Sequence, residues 1–117
     1  MTRILLGLAL LLALTPVAHA DGPTRFFVTG YTCDAGQGFC GTTADGTQVG
    51  PGVMACPSWM PFGTVARVYA DDGSVFGDFT CHDRFSASLS DRLDLFLPTV
   101  QACYQETGYH AVTVVPQ

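Results

Sequence analysis

From Thr64 to Ala70 the side chains alternate, with Val65, Arg67 and Tyr69 set against Ala66, Val68 and Ala70. A period of two is the mark of a strand. Asp71-Asp72-Gly73-Ser74 follows, with Asp-Gly at its centre, and predicts a hairpin turn into a partner strand over Val75 to Asp83. Four further β-rich runs punctuate the chain: Arg25 to Tyr31, Gly52 to Cys56 (stopped by Pro57), Leu93 to Leu97 and Tyr109 to Val115. Pro61-Phe62-Gly63 reads as a turn. Only one stretch has helical spacing. Val100, Cys103, Tyr104 and Thr107 fall at i, i+3, i+4 and i+7, a one-sided face; Pro98 suits the first turn, and Gly108 ends the helix as a C′ glycine. Cys33 to Gly52, dense in Gly, Thr, Asp and Gln, is a long loop, and such a loop in a compact domain is usually functional. The expected fold class is all-β: about six strands and one short helix, with the count and spacing of a small closed barrel.

The start of the chain follows another logic. Arg3 precedes an apolar run from Ile4 to Leu14, and Ala18-His19-Ala20 fits the small-x-small pattern of signal-peptide cleavage. Residues 1–20 are therefore expected to be a signal peptide, and residues 21–117 the single folded domain. The apolar run is short for a bilayer span, so no stable membrane insertion is expected after cleavage. Secretion to the periplasm or the medium follows.

From Asp21 onward the chain keeps four arginines (Arg25, Arg67, Arg84, Arg92), no lysine and all ten acidic residues. Nucleic acid and anionic membrane surfaces need clustered cations, so neither is an expected partner. A neutral polymer or a small ligand remains open. Five cysteines in a secreted domain of this size imply disulfides with one thiol left over. No C-x-x-C pair or His-rich spacing suggests zinc, and no metal or cofactor is expected. Cys33 and Cys40 bracket a short Gly-rich segment that a bridge between them would close locally. Cys103, on the apolar side of the helix, is the choice for the free, buried thiol. Sequence alone does not fix the pairing.

With charge this scarce, Asp83 and Asp94 stand out, each in a strand-like apolar run. An acid there either accepts backbone N–H groups or does proton chemistry. His82 adjoins Asp83, but adjacent strand residues point to opposite faces, which argues against a dyad. His110, opening the last strand, is read as structural.

Several motifs in register then resemble the three-aspartate (3D) domain, a double-psi β-barrel family related to the catalytic barrel of membrane-bound lytic transglycosylase A. Thr29-Gly30-Tyr31 resembles T-x-Y, and Gly41 to Gly46 resembles G-x-T-A-x-G. Gly52 to Pro57 is similar to G-x-x-A-D-P, and Met60 to Thr64 to I-P-x-G-T. Asp83 falls at D-x-G, and Leu93 to Phe96 is similar to I-D-L-Y. Two positions depart: Cys56 stands at the first aspartate, and Phe85, after Arg84, stands at the glycine following Asp83. The resemblance implies a six-stranded double-psi barrel and Asp94 as the acid/base, with Asp83 orienting or tuning it. It implies Thr29, Tyr31 and Thr43 along the groove, and a bridge from Cys56 to Cys81 replacing part of the acidic cluster. Cys81 is taken to share a strand face with Asp83, two residues away. Structural roles for both acids stay open beside the catalytic ones.

By the same resemblance, one aspartate would protonate a β-1,4 glycosidic oxygen, then deprotonate the sugar's own C6 hydroxyl, giving a 1,6-anhydro product without attacking water. Peptidoglycan is the leading substrate, and a monomer acting on a polysaccharide is expected. Tyr31 offers a ring face for a sugar. Trp59, between Pro57 and Pro61, is either a stacking platform or a lid. A hydrolytic variant would need a second carboxylate as base, for which Asp45 is a candidate. The other class of reading is an expansin-like barrel that grips a polysaccharide without turnover; a sealed scaffold or inhibitor is a third.

Overall fold

A computed structural model of the chain describes residues 24–34, 40–85 and 89–117; the expected signal peptide lies outside the described residues. The alternation in the sequence becomes burial in the fold. Ala66 and Val68 are fully enclosed, while Val65, Arg67 and Tyr69 face outward in part. The strands are β1 (Thr24–Tyr31), β2 (Val53–Cys56), β3 (Val65–Tyr69), β4 (Val75–Arg84), β5 (Arg92–Phe96) and β6 (Gly108–Val115), with one helix, α1 (Val100–Glu106). They close into a barrel in the order β1-β5-β2-β4-β3-β6. The expected all-β barrel with one short helix is thus observed.

Two pairs, β1 with β5 and β2 with β4, are parallel; the other four are antiparallel. This scheme maps onto itself when β1, β2 and β3 are exchanged with β4, β5 and β6. The parallel pairs swap, β1·β6 swaps with β3·β4, and β2·β5 and β3·β6 map to themselves. The barrel is therefore two interlocked halves of like topology, joined by the crossing connections that parallel pairing requires.

Inward-facing residues of every strand make one core, including Phe26, Val28, Met54, Ala66, Val68, Phe79, Leu93, Leu95 and Val112. Full burial of such a Val, Leu, Met or Phe side chain is worth about 1.5–3 kcal/mol. The Cys56–Cys81 disulfide, with both residues fully buried, ties β2 to β4; Cys33–Cys40 closes a segment of the long loop. Cys103 is the free thiol and is half-buried. The hairpin at Asp71–Ser74 forms as predicted, with Gly73 at φ 89° and its amide on the Ala70 carbonyl at 2.9 Å. His110 is structural: its ring nitrogens lie 2.8 and 2.7 Å from the Tyr69 and Glu106 carbonyls.

The helix corrects two expectations. Its N-cap is Thr99, whose hydroxyl accepts the Ala102 amide at 3.0 Å, so Pro98 precedes the cap instead of occupying the first turn. Its inner face is Ala102 and Cys103, while Tyr104 is 79% exposed. The cause is tight docking on β1. A Cβ on Gly30 would meet Leu97 Cδ1 at 2.7 Å and Cys103 Sγ at 2.9 Å. That contact centres the helix on Cys103, and the next residue, about 100° further round, turns to solvent. Among the described residues, no helix is long and apolar enough to cross a membrane.

Candidate functional site

Strand register builds the site. Thr29 of β1 lies opposite Asp94 of β5, Asp94 opposite Ala55 of β2, and Ala55 opposite Asp83 of β4. Directly paired residues share a face of a sheet. Leu93 and Leu95 point into the core, so Asp94 and its whole row point out. The row therefore reads hydroxyl, acid, methyl, acid across four strands. With strands about 4.8 Å apart, Asp83 and Asp94 sit roughly 10 Å apart at the backbone, with the small Ala55 as the floor between them. The result is an open cleft of about 370 Å³ lined by Tyr31, Ala55, Asp83, Arg84, Phe85 and Asp94.

Asp94 is held from one side only. Its Oδ1 accepts the Thr29 hydroxyl at 2.9 Å. That hydroxyl in turn accepts Arg92 Nε at 3.3 Å and Nη2 at 3.1 Å. A guanidinium can only donate, so its two contacts use the lone pairs of Thr29 Oγ1 and direct the hydroxyl proton to Asp94. A proton on a neutral Asp94 then resides on Oδ2, which has no partner among the described residues. Burial raises the Asp94 pKa, and the Asp83 charge adds to the rise; the Thr29 hydrogen bond and the Arg92 charge oppose it. A carboxyl raised by its surroundings, with one oxygen pinned and the other open to a cleft, is equipped to give and take a proton.

Asp83 is held differently. Its Oδ1 accepts the Ala44 amide at 3.1 Å and the Arg84 amide at 2.9 Å. The register skips His82 between Met54/Cys81 and Ala55/Asp83. This bulge puts Cys81 in the core and Asp83 in the cleft, so the expected shared face of Cys81 and Asp83 is not observed. The expected disulfide forms nonetheless, because Cys56 also points inward.

Tyr31 sits at the mouth with its ring edge-on to Phe96, 5.8 Å between centroids. Its hydroxyl is buried with no hydrogen-bond partner among the described residues. Burial first, then the Asp83 and Asp94 charges, push its pKa well above the usual tyrosine value, so it stays a proton donor.

The other predicted site residues fall elsewhere. Thr43 is buried and serves its own loop: its hydroxyl donates to Asp45 at 3.0 Å and accepts the Thr47 amide at 3.1 Å. It is not a groove residue, because the loop folds around it. Asp45 is not in the cleft either. Its Oδ2 lies 2.6 Å from His82 Nδ1, and that contact leads the causes that hold Asp45 well below the usual carboxylate range. His82 thus pairs with Asp45 and not with Asp83; the sequence argued only against the second pairing. Trp59 is 55% exposed, with its indole N–H on the Ser90 carbonyl at 2.7 Å and its ring 6.3 Å from Phe26. It pins the 57–64 turn to the residues after β4 and is not among the cleft-lining residues.

Ala55, Arg84, Phe85 and Arg92 were not singled out as site residues by sequence reasoning. Ala55 carried no chemical signal. Arg84 and Phe85 had one: they mark the departure from D-x-G directly after Asp83. Among the described residues no three side chains of His, Cys, Asp or Glu come together as metal ligands do. No protein-family model matches the chain, and no curated protein matches it.

Proposed function

We propose that this is a secreted or periplasmic glycan-acting barrel that cleaves a β-1,4-linked polysaccharide, with peptidoglycan as the leading substrate and Asp94 as acid/base. One observation carries the reading: two carboxylates on a single register row, separated by Ala55, bound an open cleft on the outer face of the barrel. Asp94 Oδ2 protonates the glycosidic oxygen, then withdraws the proton of the C6 hydroxyl as it closes on C1 to form the 1,6-anhydro ring. Asp83, held by two amides, supplies a second carboxylate across the cleft that supports the oxocarbenium-like centre. The resemblance to the 3D domain supports the assignment, and two disulfides fit an oxidising compartment.

The test is digestion of purified peptidoglycan followed by mass spectrometry. Asp94→Asn is expected to cut release of anhydro-muropeptides by about 10²–10⁴-fold with unchanged circular dichroism. Unchanged release from that variant sinks the proposal. Reducing ends in place of anhydro ends would redirect it to hydrolysis, with Asp83 as the base. A second reading, an expansin-like module that binds without turnover, draws on Cys56: the position of the first family aspartate is locked in a core disulfide. Retention on insoluble cell wall with no soluble sugar after prolonged incubation identifies that case.

A further inference from the structure

Among the described residues Arg84 carries the only positive charge lining the cleft, and none of them gives it an acidic partner. Arg67 pairs with Asp78 at 2.8 Å, yet no carboxylate lies within 4.0 Å of the Arg84 guanidinium among the described residues. This holds in a chain with ten acids and five cations. The guanidinium is nevertheless fixed. Its Nη2 donates to the Met60 carbonyl at 2.8 Å, and Nη1 lies 2.6 and 3.0 Å from the sulfurs of Cys56 and Cys81. The Phe62 ring lies beneath it, 4.0 Å from the guanidinium carbon to the centroid. Carbonyl, sulfur and ring neutralise none of its charge, and its Nε–H is unused among the described residues. Arg92 stands nearby: its guanidinium carbon lies 5.8 Å from the Phe85 ring, and among the described residues no carboxylate lies within 4.0 Å of it, although its charge acts on Asp94 through Thr29.

We infer that Arg84 is a carboxylate-binding, specificity-determining residue of the cleft, so that the polymer it takes is an acidic glycan and not a neutral one. A guanidinium held flat on an aromatic ring keeps its fork geometry with little left to order on binding, which suits a planar carboxylate. The ligand's own carboxylate would answer the unpaired cation, while its glycosidic bond lies toward Asp94. The chain's overall negative charge opposes any anionic polymer at long range. That field is screened over about 8 Å at physiological salt, so the direct contact decides. The inference rests on the cleft being a glycan site, but it needs binding alone and no turnover.

The experiment therefore uses binding. Affinity electrophoresis of the full mature chain compares carboxymethylcellulose with hydroxyethylcellulose, which share one β-1,4 backbone. Sedimentation compares native peptidoglycan with peptidoglycan whose carboxyls have been amidated by carbodiimide. About tenfold tighter binding to the carboxylated member of at least one pair is expected. A difference in the cellulose pair shows that a carboxylate on the sugar suffices; a difference only in the peptidoglycan pair places it on a lactyl or peptide substituent. Arg84→Gln is expected to abolish the difference and Arg84→Lys to restore part of it. Should Arg84→Gln fail to fold, Phe62→Ala removes the ring under the guanidinium and is expected to weaken only the carboxylated ligand. No preference within either pair, or a full preference retained in folded Arg84→Gln, overturns the inference. Asp94→Asn, which leaves Arg84 untouched, is expected to keep the preference, so failure of catalysis and failure of this inference read out separately.

Discussion

The two halves of the barrel share one pairing scheme and almost nothing else. The half made of β1, β2 and β3 crosses from its first strand to its second through residues 32–52, with a disulfide inside that loop; the half made of β4, β5 and β6 crosses through residues 85–91. Between second and third strands, the first half uses the turns of residues 57–64 and the second inserts α1. At the cleft the division is chemical. The first half provides Thr29, Tyr31 and Ala55: a hydroxyl, a ring and a floor. The second provides Asp83, Arg84, Phe85 and Asp94, hence every charge. Like topology thus sets where the row lies, and unlike sequence decides what it carries. The interlocked parallel pairs bring both contributions to one surface.

The comparison can be strained hardest at the bond between the halves. Replacing Cys56 and Cys81 with Ala opens a 25-residue loop, against 7 for Cys33 and Cys40. Chain-entropy arguments put the losses at ~3.5 and ~2.4 kcal/mol. Thermal unfolding by differential scanning calorimetry is expected to show the larger drop for the buried bridge, and a larger drop for the loop bridge would mean the halves are held together by packing alone. Next in size is Gly30→Ala. Its Cβ would press on Leu97 and Cys103, lifting α1 from β1 at a cost of about 1–3 kcal/mol. Chemical denaturation should report that loss, and unchanged stability would show that the helix is free to shift.

Smallest is the effect of Asp94→Asn on stability. The Asp94 pKa is raised on folding, so between its ordinary value of about 3.9 and its folded value the native state binds more protons. That contribution favours the native chain at low pH and is lost as pH rises. Asp94→Asn is therefore expected to melt about 2–5 °C higher than the parent at neutral pH, with the gap closing towards pH 3. A gap that widens on acidification would mean the carboxylate is stabilised by the fold, and a proton-transfer role would lose its physical basis.

Much of the scaffold was legible along the chain. Alternation marked β3, Asp-Gly marked the hairpin, and the single helical face marked α1, because these signals depend on neighbours a few residues apart. The inner face of α1 was misread at Tyr104, since helical spacing locates a stripe only to within a side chain and the approach permitted by Gly30 chose Cys103. The acids were legible as rare charges in apolar strands. Their setting was not. Asp45 looked like a possible partner for Asp94 until the loop folded its carboxylate onto His82.

The sequence by itself determined the strand and helix inventory, the turns and the presence of two unusual acids, all matters of local periodicity and composition. Only the tertiary structure decided that Thr29, Asp94, Ala55 and Asp83 form one row, that a bulge at His82 turns Asp83 outward while Cys81 stays in the core, and that Arg84 beside them has no acidic partner among the described residues. The reason is the register of strands far apart in sequence. A one-residue change in that register moves a side chain to the other face of the sheet, and no local pattern records it.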